Sequence, residues 1–186
     1  NIQAIYVRGM AYYHQDIMDK AFLHFSQVLK LDPDHSEAIE VFKKAKVLIQ
    51  KKDGGNEAFK MGDMMKAFEL YTEALKVDSY NKTINAKLYF NRGNVQAKLG
   101  NLKETIEDCT RALELDMNYT KALLRRAKSY MELKEYDSAV ADYTRLCESD
   151  RTNMEYKALL KKPSWRRQSS LGKTIMKCWG LLKEPV

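Results

Sequence analysis

The sequence predicts an all-α fold, a solenoid of antiparallel helix pairs stacked side by side. Three observations predict it. A unit of 34 residues recurs at 2–35, 48–81, 86–119 and 120–153. Within each unit the apolar residues are spaced as on one face of a helix, not alternately as on a strand. Breakers are scarce, with three prolines and eight glycines in 186 residues, so long helices are favoured over short strands and tight turns.

The units align on a column of small residues, Gly9, Gly55, Gly93 and Ala127, at their eighth position. The twentieth position reads Ala21, Ala67, Thr105 and Ala139, the twenty-fourth Phe25, Tyr71, Cys109 and Tyr143, and the twenty-seventh Val28, Ala74, Ala112 and Leu146. Small residues at eight and twenty let two antiparallel helices approach closely. The larger ones at twenty-four and twenty-seven fill the space between one hairpin and the next, and stacking supplies the stability that a lone hairpin lacks. Helices are expected near 3–15, 19–31, 36–61, 65–77, 84–98, 103–115, 120–133, 137–148 and 153–162. Leu31, Val77 and Leu115 each offer a closing apolar contact, and Pro33 stops the second helix. His35 to Ala38 offers a helix start, and neither Pro nor Gly follows until Gly54. The stretch 36–61 is therefore expected to be one helix, ending the first unit and opening the second.

This period and its small-residue columns resemble the tetratricopeptide-repeat (TPR) family, over residues 2–153. The resemblance implies three segments: 1–47 as the last repeat and connecting helix of an upstream module, 48–162 as a three-repeat module with a capping helix, and 163–186 as a non-repeat tail. It also implies a groove lined by the first helix of each repeat, with positions two, five, six and nine facing inward. Those positions hold Lys52 and Asn56 in the second unit, Asn91 in the third, and Lys121 and Arg125 in the fourth. Lys52 with Asn56, and Lys121 with Arg125, are i,i+4 pairs that share a helix face. The set suits a carboxylate: Lys and Arg give charge-assisted hydrogen bonds, Arg in bidentate fashion, and the amides donate without adding charge. Phe59, Asn94 and Lys98 face the same groove and form a secondary set. The first unit, with Tyr6 and Met10 at positions five and nine, lacks the pattern.

The five residues resemble the dicarboxylate clamp of chaperone-binding TPR modules, which implies binding of the Glu-Glu-Val-Asp terminus of the seventy- and ninety-kilodalton heat-shock chaperones. Asn85 to Tyr89, Ile106 to Thr110 and Lys121 to Ala127 are similar to the last TPR module of a two-module J-domain co-chaperone. No His-Pro-Asp tripeptide occurs, so stimulation of a chaperone ATPase is not expected of this chain. The alternative is a general TPR scaffold for internal peptide segments. An enzyme is disfavoured, because no acid and base pair, nucleophile arrangement or metal set falls on one groove.

The bulk composition sets further bounds. The net charge is +7, but residues 163–186 hold five basic and one acidic side chains, leaving +3 for residues 1–162. So mild a bias in the body does not point to nucleic acid. Cys109, Cys147 and Cys178 are too far apart for a disulfide framework and read as buried thiols in a reducing compartment. His14, His24 and His35 lack metal-ligand spacing. No run approaches the ~18 apolar residues of a membrane span. Neither cofactor, nucleic acid nor membrane is expected, and the cytoplasm is the expected compartment, with the nucleus open to it. The opening Asn1-Ile2-Gln3 is not a secretory signal, and the missing initiator Met suggests a piece of a longer protein. From Pro163 the repeat pattern ends, and both tryptophans fall there. That tail is expected to be disordered or translated out of frame, since a shifted frame permits residues resembling the opening of a J domain.

Overall fold

A computed structural model of the protein describes residues 1–161, and the expectations for 163–186 lie outside them. Among the described residues every regular element is a helix: α1 (Ile2–His14), α2 (Met18–Leu31), α3 (Ser36–Met61), α4 (Met64–Val77), α5 (Lys82–Lys98), α6 (Leu102–Leu115), α7 (Thr120–Glu132), α8 (Tyr136–Ser149) and α9 (Met154–Lys161). Four antiparallel hairpins, α1/α2, α3/α4, α5/α6 and α7/α8, stack in chain order, and α9 lies against α8.

Every residue of the four repeat columns is buried. The glycines matter where rings press on them. A Cβ on Gly9 would lie 2.7 Å from the Phe25 ring, and one on Gly55 2.7 Å from the Tyr71 ring. Thr105 fits the alanine column by turning its hydroxyl onto the Asn101 carbonyl, 2.9 Å away. Leu31 departs from expectation: it is 61% exposed, whereas Val77 and Leu115 are half-buried.

The turn inside each hairpin is a repeated device. Asp16, Gly62, Gly100 and Lys134 share one place in the 34-residue frame, and all have positive φ, from 59° to 85°. Two of the four are not glycine, in a region that disfavours side chains. Between hairpins, Asp78, Asp116 and Asp150 each accept the backbone N–H two residues on, closing a turn.

α3 runs unbroken for 26 residues, capped at its start by His35 Nδ1, which accepts the Ala38 N–H at 3.3 Å. Its first half packs on α2 and its second on α4. The first hairpin is also tied forward to the start of α5. The Tyr13 hydroxyl donates to Asp78 at 2.7 Å, and the Asn81 amide donates to the Tyr13 carbonyl at 3.0 Å.

The later hairpins carry a further clasp. Arg92 donates to both Asp108 oxygens, at 2.9 and 2.6 Å, and reaches Thr72 on α4 at 3.3 Å. Arg126 repeats this with Asp142, at 2.8 and 2.7 Å, and with Thr110 on α6 at 3.0 Å. Each guanidinium so binds its own hairpin and the second helix of the hairpin before it. The Asp108 hydrogen bond holds Arg92 above its ordinary pKa, against burial. Cys109 and Cys147 are buried free thiols, and burial pushes Cys109 up to about 12.

Candidate functional site: a polar groove across three helices

The alternate helices α3, α5 and α7 carry the predicted residues: Asn56 and Asn91 line one cavity, Lys121 and Arg125 line a second, and Lys52 lines neither. Lys52 and Asn56 lie a turn apart on α3, and Lys121 and Arg125 a turn apart on α7. The α5 residues between them join the two ends. Asn91 donates to the Asn56 oxygen at 3.2 Å, and Arg125 Nε donates to the Asn94 oxygen at 2.7 Å. The Tyr71 hydroxyl also donates to the Asn56 oxygen, at 2.8 Å. Burial raises Tyr71 to about 12, with the Asn91 hydrogen bond pulling the other way, so the phenol stays a neutral donor near pH 7. With its oxygen taken by two donors, Asn56 keeps its amide N–H pair for the groove.

Asn56, Phe59, Tyr71, Asn91 and Asn94 line a cavity of about 230 Å³, with Lys60 at its edge. Phe90, Lys121, Leu124, Arg125 and Lys128 line a second, of about 160 Å³. The first is an amide-rich pocket and the second a cationic one with an apolar floor. Together they offer hydrogen-bond donors and positive charge beside the apolar surface of Phe59, Phe90 and Leu124. Of the secondary set, Phe59 and Asn94 join the cluster. Lys98, the last residue of α5, is exposed and lines neither cavity.

Several contributors escaped the sequence reading. The repeat frame gives Tyr71 a packing role alone, although its separation of 15 residues from Asn56 spans a hairpin that the frame already implies. Phe90, Lys128 and Lys60 follow from the helical phase of Asn94, Arg125 and Asn56. Asp16 carried no signal. Its carboxylate, from the turn after α1, lies 2.6 Å from Lys87 Nζ and 3.4 Å from Lys52 Nζ, and its side chain is 6% exposed.

The groove beside the first hairpin has a different character. Tyr6, Met10, Glu37, Glu40, Lys44 and Asp78 line a cavity of about 290 Å³, and Lys44 is paired with Glu40 at 2.6 Å. No group of three or more His, Cys, Asp or Glu side chains among the described residues could hold a metal ion, and no described helix is long and apolar enough to cross a membrane.

Stacked helical hairpins with a polar, cation-bearing groove define a helical-repeat protein. The chain belongs to the tetratricopeptide-repeat family: residues 86–119 match one tetratricopeptide repeat profile, and residues 3–35 and 121–152 match a second. It is 45% identical over 183 residues to DnaJ homolog subfamily C member 7 of Homo sapiens, which covers 98% of this chain and 37% of that protein. The chain thus spans little more than a third of that relative's length. The first TPR of Spaghetti (RPAP3), bound to the HSP90 peptide SRMEEVD, superimposes with a TM-score of 0.59 at 31% identity, covering 67% of this chain and 95% of that one. The second TPR domain of human RPAP3, in complex with the HSP70 peptide SGPTIEEVD, gives 0.56 at 30% identity, covering 62% and 92%.

Proposed function

We propose that the protein is a non-catalytic co-chaperone adaptor. Its ligand is the acidic Glu-Glu-Val-Asp tail of the seventy- and ninety-kilodalton heat-shock chaperones, held by a dicarboxylate clamp of Lys52, Asn56, Asn91, Lys121 and Arg125. The observation that carries this reading is the continuous run of donors across α3, α5 and α7, bridged by Asn91–Asn56 and Arg125–Asn94. A terminal Asp presents two carboxylates. Lys52, Asn56 and Asn91 take one, and Lys121 and Arg125 take the other. Two solved relatives that carry peptides ending in Glu-Glu-Val-Asp lend support. In this reading residues 48–162 form the clamp module with α9 as its cap, residues 1–47 end a preceding module, and the work is done in the cytoplasm.

Calorimetry with a Glu-Glu-Val-Asp peptide, free and C-terminally amidated, tests the proposal. The free peptide is expected to bind and the amidated one to lose most of its affinity. Equal binding of both would assign the groove to internal segments, as in a general scaffold.

A further inference from the structure

Asp16 stands outside the three clamp repeats, yet its carboxylate is the nearest negative charge to the clamp. It closes the first hairpin at φ 59°, where the next two hairpins place Gly62 and Gly100. A charged residue with a shielded side chain is thus kept at a backbone position that favours glycine. Its two oxygens are divided between Lys87, at 2.6 Å, and Lys52, at 3.4 Å. Lys52 is itself shielded, its side chain 18% exposed. The two cations at the far end of the groove differ: among the described residues neither Lys121 nor Arg125 is in an ion pair, and Arg125 meets only the Asn94 amide.

We propose that Asp16 is an internal counter-ligand that sets how tightly the groove accepts a peptide carboxylate at Lys52. The inference rests on the clamp reading above. A carboxylate reaching Lys52 must share the ammonium with Asp16 or displace it. The ammonium has three N–H donors, so sharing is open geometrically, and the cost is repulsion between two carboxylates a few ångströms apart. Lys87 moderates this by holding the other Asp16 oxygen. Asp16 is carried by the hairpin that Tyr13, Asp78 and Asn81 fasten to α5, so the docking of the first repeat becomes a term in the affinity of the next three.

The test compares the full chain with Asp16→Asn and Asp16→Gly. Asn keeps the shape and tolerates the left-handed backbone, and Gly removes the strain as well as the charge. Calorimetry with the free Glu-Glu-Val-Asp peptide is expected to show both variants binding roughly fivefold tighter, the scale of one partly exposed charge pair. Reductive methylation, read residue by residue, is expected to label Lys52 faster in both, with Lys60 as internal reference. Unchanged or weaker binding in the variants, while Lys121→Ala still weakens the peptide, overturns the role of Asp16 and leaves the clamp standing. An unchanged Lys52 labelling rate overturns it independently of any ligand. Peptide binding that is absent, or indifferent to Lys121→Ala, removes the clamp and Asp16's role with it. Should Asp16→Asn lose its helical circular dichroism, Asp16→Gly decides the outcome.

Discussion

The first hairpin and the last use one frame to present opposite faces. In α1/α2 the stacking columns are Gly9, Ala21, Phe25 and Val28, and in α7/α8 they are Ala127, Ala139, Tyr143 and Leu146, all buried. On the groove side α1 shows Tyr6 and Met10 against the acids Glu37 and Glu40 of α3, whereas α7 shows Lys121 and Arg125. The last hairpin is clasped by Arg126 and Asp142. In the first, the same frame positions hold Arg8, which is exposed, and His24, whose ring meets the Lys20 carbonyl. Packing columns and groove-facing positions of the 34-residue unit are largely separate, with Tyr71 serving both. Outside that position, an array can change the chemistry of its groove one repeat at a time with little effect on its stacking.

The sharpest way to break this contrast is in the clasp. Arg126→Ala strands a carboxylate that is only 8% exposed, and is expected to cost ~3–5 kcal/mol in urea unfolding. Arg8→Ala, at the matching position of the first hairpin, is expected to cost less than about 0.5 kcal/mol. Equal losses would mean that the two hairpins are not held differently. Next in size, Gly9→Ala drives a Cβ into the Phe25 ring, and about 2 kcal/mol of stability is expected to go with it, measured the same way.

The groove contrast is read by binding. Lys121→Ala and Arg125→Ala are each expected to weaken a free Glu-Glu-Val-Asp peptide by about 2 kcal/mol, roughly thirtyfold, with the melting curve unmoved. An affinity indifferent to both would remove the clamp. Asn56→Ala and Asn91→Ala give up neutral hydrogen bonds and are expected to cost ~1 kcal/mol each in the same titration. The smallest effect belongs to the first groove: Tyr6→Ala and Met10→Ala are expected to leave the acidic peptide's affinity within twofold, or about 0.4 kcal/mol. A larger loss would extend the ligand's path onto α1.

Much of the architecture was legible because a repeat states its packing four times. Helix ends from α1 to the start of α9 fell within two residues of expectation; the start of α5, at Lys82 instead of residue 84, is fixed by the Asn81 side chain accepting the Ile84 N–H. Gly62 and Gly100 announce their turns, but Asp16 and Lys134 adopt the same backbone without saying so. The Arg92–Asp108 and Arg126–Asp142 clasps had a usable signal, the same spacing of 16 residues recurring at the same place in two units. A single copy would have looked like ordinary surface charge. Asp16 had no signal, because its partners are 36 and 71 residues away and meet it only once the first hairpin has folded back onto α5.

One helix serves two neighbours in α3, and this makes it a camshaft. Its 26 residues extend for about 39 Å, with each residue turning the face by about 100°. Val41, which lines the first groove, and Lys52, which pairs with Asp16, are therefore locked at a fixed angle about a common axis. Substitutions along the shaft can alter either lobe, but only a change in the number of residues between them can retime one against the other. A single residue inserted after Leu48 would swing Lys52 and Asn56 by about 100° relative to Val41 while leaving each side chain on the same helix.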